Sequence, residues 1–296
     1  DALERLASAA LSAGLNSPIE VQSSQMAEFL AGASSVSDEE LKRRMDAVDP
    51  QDPAMIVYTS GSTGAPKGAL LRHSGLARLG HVQTEKWQQG TPVVMCNLPI
   101  NHIGCVGDLC SVPLYAGGTV VLRERSDAQE VLDDIDRYGI SALFQVATQL
   151  QRVAALPEFA SRELPSLVVV GWGGSPLPQG TLDLFRAKGC QLMSTYGLTE
   201  ATFSVTYTDP ESTDEVLLNT VGRPDADINV RLLAEDGQWA APGADGEVCI
   251  KHEGTMAGYL NRPEATAAAM TPDGWLRTGD IGRIRDDGNL VLVGRV

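Results

Sequence analysis

The run Tyr58-Thr59-Ser60-Gly61-Ser62-Thr63-Gly64-Ala65-Pro66-Lys67-Gly68 gathers glycines, hydroxyls and one lysine directly after the apolar segment Met55-Ile56-Val57. Glycines let a backbone turn tightly and aim its amides at an anion, hydroxyls add donors, and the Lys67 ammonium adds charge; this is the chemistry of a polyphosphate cradle. It is not a Walker A loop, because Pro66 stands where that pattern has the glycine before the lysine and Gly68 stands where it has Ser or Thr. A Ser/Gly surface turn has a similar composition; the strand before the run and its single lysine argue for phosphate. Further on, Tyr196-Gly197-Leu198-Thr199-Glu200 offers an aromatic face suited to a base and a hard carboxylate suited to magnesium. A turn leading into a capped helix would use the same residues without a ligand. Asp280, in Trp275-Leu276-Arg277-Thr278-Gly279-Asp280-Ile281-Gly282, can accept from two hydroxyls at once, or sit in an ordinary Gly-Asp turn.

In this order, the segments resemble the adenylate-forming superfamily, which includes acyl-CoA synthetases and peptide-synthetase adenylation domains. The phosphate-loop match is complete, and Gly258-Tyr259 to Arg262-Pro263-Glu264-Ala265-Thr266 also fits the ligase pattern. The resemblance implies that Thr59, Ser60, Gly61, Ser62, Thr63, Gly64 and Lys67 grip the ATP β- and γ-phosphates. Tyr196, followed by Gly197, would stack on adenine, Thr199 would bond the α-phosphate and Glu200 would hold Mg²⁺. Asp280 would bind both ribose hydroxyls, and Arg295, at the start of the family's hinge, would contact the ribose. In Gly171-Trp172-Gly173-Gly174-Ser175-Pro176, residues Gly173, Gly174 and Ser175 would line the adenine and acid sites. Trp172 replaces a commoner small residue; it would either wall the acid pocket, the favoured reading, or simply belong to the core. His102, in Asn97-Leu98-Pro99-Ile100-Asn101-His102-Ile103-Gly104, would border that pocket as a lining residue only, a lone histidine beside apolar residues being more often structural, with Asn101 in place of the usual aromatic, and Val106, Gly107 and Asp108 would begin its helix. Asp108 there would discourage a purely greasy tunnel, with surface exposure as the alternative.

The implied reaction is attack of a carboxylate on the ATP α-phosphate to give an acyl-adenylate, captured by CoA; Lys67, Thr199 and Glu200 would be the catalytic groups and ATP, Mg²⁺ and CoA the cofactors. Carrier-protein loading is the nearest rival, and a non-catalytic nucleotide-binding module is a rival of another class. A serine hydrolase is disfavoured because no G-x-S-x-G elbow occurs. The resemblance runs from about Ala54 to Arg295. It implies a chain shortened before the phosphate loop and ending at the hinge, without the family's mobile C-terminal domain and its lysine.

These residues need a rigid frame, and the spacing predicts an α/β layered sheet domain with a smaller C-terminal β subdomain. Apolar runs at 55–58, 92–95, 119–122, 142–144 and 167–170 alternate with helical patterns at 127–138 and 177–188. After about 217 the texture becomes strands and turns, giving expected divisions at 1–50 (mostly helical), 51–216 and 217–296. Leu3 and Leu6 have helical spacing, and Ser37 before Asp38-Glu39-Glu40 marks a helix start. With 296 residues, 43% hydrophobic, the chain can bury a sizeable core. A net charge of −15 without a basic run disfavours a nucleic-acid partner and means that a small anion needs a local cluster of donors. The five cysteines form no C-x-x-C pair, which argues against a disulfide framework or a zinc site and for a reducing cytoplasm. No apolar run is long enough to span a bilayer.

Overall fold

The computed structural model describes residues 26–59, 65–87 and 90–296. The expected helix around Leu3 and Leu6, and Ser60 to Gly64 of the phosphate loop, lie outside the described residues. Contacts divide the chain into a unit of residues 1–49 and a unit of residues 50–296. In the first, helix α1 (Met26–Ala31) and a short 3-10 turn precede α2 (Asp38–Asp46). The α2 start is as expected: the Ser37 hydroxyl accepts from the Glu40 amide at 3.1 Å, and acidic residues fill the first turn.

Among the described residues the second unit is built on three sheets. The largest has seven strands in the order β4-β3-β5-β6-β7-β8-β9: β3 (Val93–Cys96), β4 (Thr119–Leu122), β5 (Ala142–Val146), β6 (Val169–Gly173), β7 (Gln191–Gly197), β8 (Ser204–Tyr207) and β9 (Arg223–Pro224). The first five are parallel, the last two antiparallel. Parallel strands need crossovers, supplied by the π-helix Gly104–Ser111 with α4 (Val112–Tyr115), and by α5 (Ala128–Tyr138), α6 (Ala147–Ala154) and α7 (Gln179–Arg186). The α5 pattern shows how sequence sets such a crossover. The Asp127 carboxylate caps the amides of Gln129 and Glu130, Val131, Leu132 and Ile135 form the buried face, and Gly139 at φ 63° ends the helix.

Strand alternation sorts side chains into two cores. Met95, Leu143, Val170, Trp172 and Leu192 join Leu132, Ile135, Leu150, Leu182 and Phe185 of the crossover helices. Val94, Ala142, Phe144, Val169 and Met193 join the opposite core, with residues of β1 (Pro53–Thr59), β2 (Lys67–Arg72) and α3 (His73–Trp87). Trp172 is therefore a core residue, 0% exposed. The expectation that it walls an acid pocket gives way, because its position on β6 turns the indole towards the helices.

Beyond residue 217, β10 (Asn229–Leu233), β11 (Gly246–Lys251), β13 (Leu276–Ile284) and β14 (Leu290–Arg295) form an antiparallel four-stranded sheet, whereas β9 closes the seven-stranded one. Strand β12 (Gly258–Tyr259) leaves that region to pair with β2, setting Tyr259 opposite Ala69.

Candidate active site

Strands β1 and β2 are antiparallel partners, with Thr59 opposite Lys67, so the two described ends of the phosphate-loop motif stand side by side. Its two ends are held together. The Thr59 hydroxyl lies 3.5 Å from the Lys67 carbonyl and donates to Glu200 Oε1 at 3.2 Å. The same carboxylate oxygen accepts from the Tyr259 hydroxyl at 2.7 Å. Burial, and then the Glu200 charge, push the Tyr259 phenol well above its ordinary pKa, so it stays protonated and donates. Lys67 Nζ lies 4.5 Å from the centre of the Tyr259 ring, a cation–π contact that anchors the ammonium over that ring. Pairing of β12 with β2 thus brings Lys67 and Glu200 to either side of one tyrosine.

A second cluster forms beside the first, because β7 runs into the 3-10 turn Thr199–Ala201 and so carries both Tyr196 and Glu200. The Tyr196 hydroxyl donates to Asp280 Oδ2 at 2.8 Å, and Arg295 Nε lies 3.1 Å from Oδ1. Tyr196 is 7% exposed, its phenol pushed up by burial first, whereas the Arg295 side chain is 78% exposed. Both Asp280 oxygens are engaged, one by a buried partner and one by a solvated arginine that a competing donor displaces at little cost. Asp280 is aimed by its own strand. The register of β13 on β11 shifts between Glu247 and Cys249, Gly279 takes φ 75°, and the Gly279 amide donates to Glu247 Oε1 at 3.0 Å.

The structure therefore joins Thr59, Lys67 and Glu200 through Tyr259, and Tyr196 with Asp280 and Arg295. Thr199 is half-buried at the same turn. Gly197 packs so closely on β8 that an added Cβ would stand 2.5 Å from the Phe203 carbonyl oxygen. Gly173 is half-buried, and Gly174 and Ser175 are exposed at the end of β6. His102 is exposed, its Nδ1 accepting from the Gly104 amide at 3.0 Å, and Val106 is half-buried on the π-helix Gly104–Ser111. Sequence reasoning did not assign Tyr259 to the site; its signal was the Gly258-Tyr259 pair within the ligase-like segment.

Asp108 resolves against surface exposure. It is 7% exposed on the π-helix and accepts from Gln83 Nε2 of α3. Burial raises its pKa from 3.8 to about 6. A carboxyl raised on folding has its stabilising share below pH 4, loses it as pH climbs to about 6, and is a buried anion above that. Asp108→Asn is therefore expected to match the parent below pH 4 and to be more stable by roughly 2–3 kcal/mol above pH 6. Urea unfolding across pH 3.5 to 8 measures the gap. A gap that does not change with pH would contradict the assignment.

A separate cleft of about 680 Å³ opens near Arg72, Arg78 and Lys251. Its cations are already held: Arg78 by Asp225 and Asp227, Arg72 by the carbonyls of Gln51 and Thr255, and Lys251 by that of Asp273.

Comparison with known proteins gives one consistent answer. The sequence profile of a family described as AMP-binding enzyme matches residues 4–260. A feruloyl-CoA synthase of Amycolatopsis sp is 33% identical over 262 residues, 85% of this chain and 53% of that protein. An indoleacetate–CoA ligase of Aromatoleum aromaticum is 33% identical over 250 residues, covering 84% and 48% respectively. O-succinylbenzoate coenzyme A synthetase from Bacillus subtilis, solved with ATP and a magnesium ion, superposes with a TM-score of 0.76 at 28% identity, over 84% of this chain and 51% of that one. The chain spans about half the length of the relatives it matches.

Proposed function

Since this chain belongs to the AMP-binding enzyme family, we propose that it activates a carboxylic acid with ATP, forming an acyl-adenylate and pyrophosphate, and passes the acyl group to CoA. The observation that carries the reading is the Thr59–Glu200–Tyr259–Lys67 cluster, which ties the base of a phosphate-loop hairpin to an acidic turn. Further support comes from the feruloyl-CoA and indoleacetate–CoA relatives, which favour an acyl or aryl acid.

In this reading an oxygen of the acid attacks the α-phosphorus while the bond to pyrophosphate breaks. Lys67, with the hydroxyls and amides of 59–64, neutralises the departing phosphates, and the Thr199 hydroxyl donates to the α-phosphate. The donor set suits a hard cation at Glu200: among the described residues both of its hydrogen bonds fall on Oε1. Glu200 would hold magnesium, which would supply charge neutralisation at the phosphates. Tyr259 fixes the carboxylate's orientation. Asp280 accepts the ribose hydroxyls after Arg295 swings from Oδ1, while Tyr196 keeps Oδ2 aligned. The thiol of CoA then attacks the acyl carbon and AMP leaves.

The test is ATP–pyrophosphate exchange with a panel of aromatic and aliphatic acids, on this chain and on the whole protein that carries it, followed by CoA or a phosphopantetheinyl carrier as acceptor. Acid-dependent exchange and thioester formation with CoA are expected. Transfer to the carrier alone would replace the second half-reaction, and no exchange with any acid would leave a nucleotide-binding module.

A further inference from the structure

Three cysteines without any close sequence motif meet in the core. Cys96 ends β3, and Cys105 and Cys110 stand five residues apart on the π-helix, whose i to i+5 repeat puts them on one face. The Cys96 and Cys105 sulfurs are 3.3 Å apart, those of Cys96 and Cys110 3.6 Å, and all three lie within 4.8 Å of one another. Cys96 and Cys105 are buried and Cys110 half-buried, which leaves one thiol as the entry point.

We propose that Cys96, Cys105 and Cys110 form a three-thiol binding site for trivalent arsenic, taken up as arsenous acid. The choice of ligand follows from charge and geometry. A divalent metal held by three thiolates would leave a net negative charge in an apolar core, where an unpaired charge is costly. Zinc also takes four ligands, and this cluster supplies three among the described residues. Arsenous acid needs neither a fourth ligand nor a thiolate. Three As–S bonds form, three As–O bonds break, and each thiol proton leaves with a hydroxide as water; arsenic stays trivalent and the product is neutral. Spacing agrees. Around a flat three-coordinate centre with ~2.3 Å bonds the sulfurs stand about 4.0 Å apart, and around a right-angled pyramid about 3.3 Å. The Cys96 pairs, at 3.3 and 3.6 Å, fall between the two values and the third pair lies within 4.8 Å, so a pyramidal centre, the shape of trivalent arsenic with its lone pair, is reached by small side-chain rotations. The product would pin the end of β3 to the π-helix.

Native intact-mass measurement of the chain with sodium arsenite, in a phosphine reductant, tests this. The expected adduct is one arsenic per chain with three hydrogens lost, retained in a Cys190→Ala, Cys249→Ala double variant. Cys110→Ser, at the half-buried position least demanding of the fold, is expected to weaken uptake at least tenfold, and Cys96→Ala similarly; near-ultraviolet circular dichroism checks their folding. An unmodified mass, an adduct that loses only two hydrogens, or uptake unchanged in folded Cys110→Ser would each overturn the proposal. Binding of zinc but not arsenite would do so as well.

Discussion

Glu200→Gln is expected to lower ATP–pyrophosphate exchange by on the order of 10²-fold, with the fold intact. Glutamine keeps the oxygen that accepts from Thr59 and Tyr259, so the hairpin base stays tied to the turn; what disappears is the negative charge. Loss of a hard anionic ligand falls on the charge-dependent step, so raising Mg²⁺ should recover part of the rate. Tyr259→Phe provides the contrast. It removes one hydrogen bond to Oε1 while leaving a ring under Lys67, and a lost orienting partner of a ligand costs about 10-fold. Exchange measured against Mg²⁺ concentration separates the two. Equal activity in Glu200→Gln and the parent would remove Glu200 from the mechanism.

The difference between these variants also marks how far the sequence could be read. Thr59 to Lys67 are contiguous, so their phosphate chemistry is visible without a fold, and the apolar runs of the parallel sheet announce themselves because both faces are buried. Tyr259 is different: its place beside Glu200 depends on a two-residue strand crossing to β2, a pairing between residues 190 apart in number only once Tyr259 meets Ala69. Nothing local encodes that. The cysteine cluster was hidden for a related reason. Spacings of nine and five residues match no ligand pattern until a π-helix replaces an α-helix and rotates Cys110 back over Cys105. Asp108 likewise became a buried acid because the same helix turns it towards Gln83.

Trp172 is where an all-apolar strand is ambiguous. In a strand buried on both faces, alternation fixes which side chains share a face but not which face carries the helices. Here the indole lies with Val170, Leu143, Leu192, Leu150 and Phe185. Trp172→Ala is accordingly expected to cost about 3–5 kcal/mol, as the cavity cannot be closed by side chains already locked between sheet and helices. Trp172→Phe is expected to cost much less. Among the described residues the buried Nε1 group has no hydrogen-bond partner, so removing it relieves a desolvation penalty of about 1–3 kcal/mol that offsets part of the lost packing. The pair of variants also distinguishes core from pocket wall. A wall residue would change the ranking of acids in the exchange assay when Trp becomes Phe, whereas a core residue changes the denaturation midpoint and leaves the ranking alone. A reordered acid panel with Trp172→Phe at unchanged stability would return the indole to the pocket.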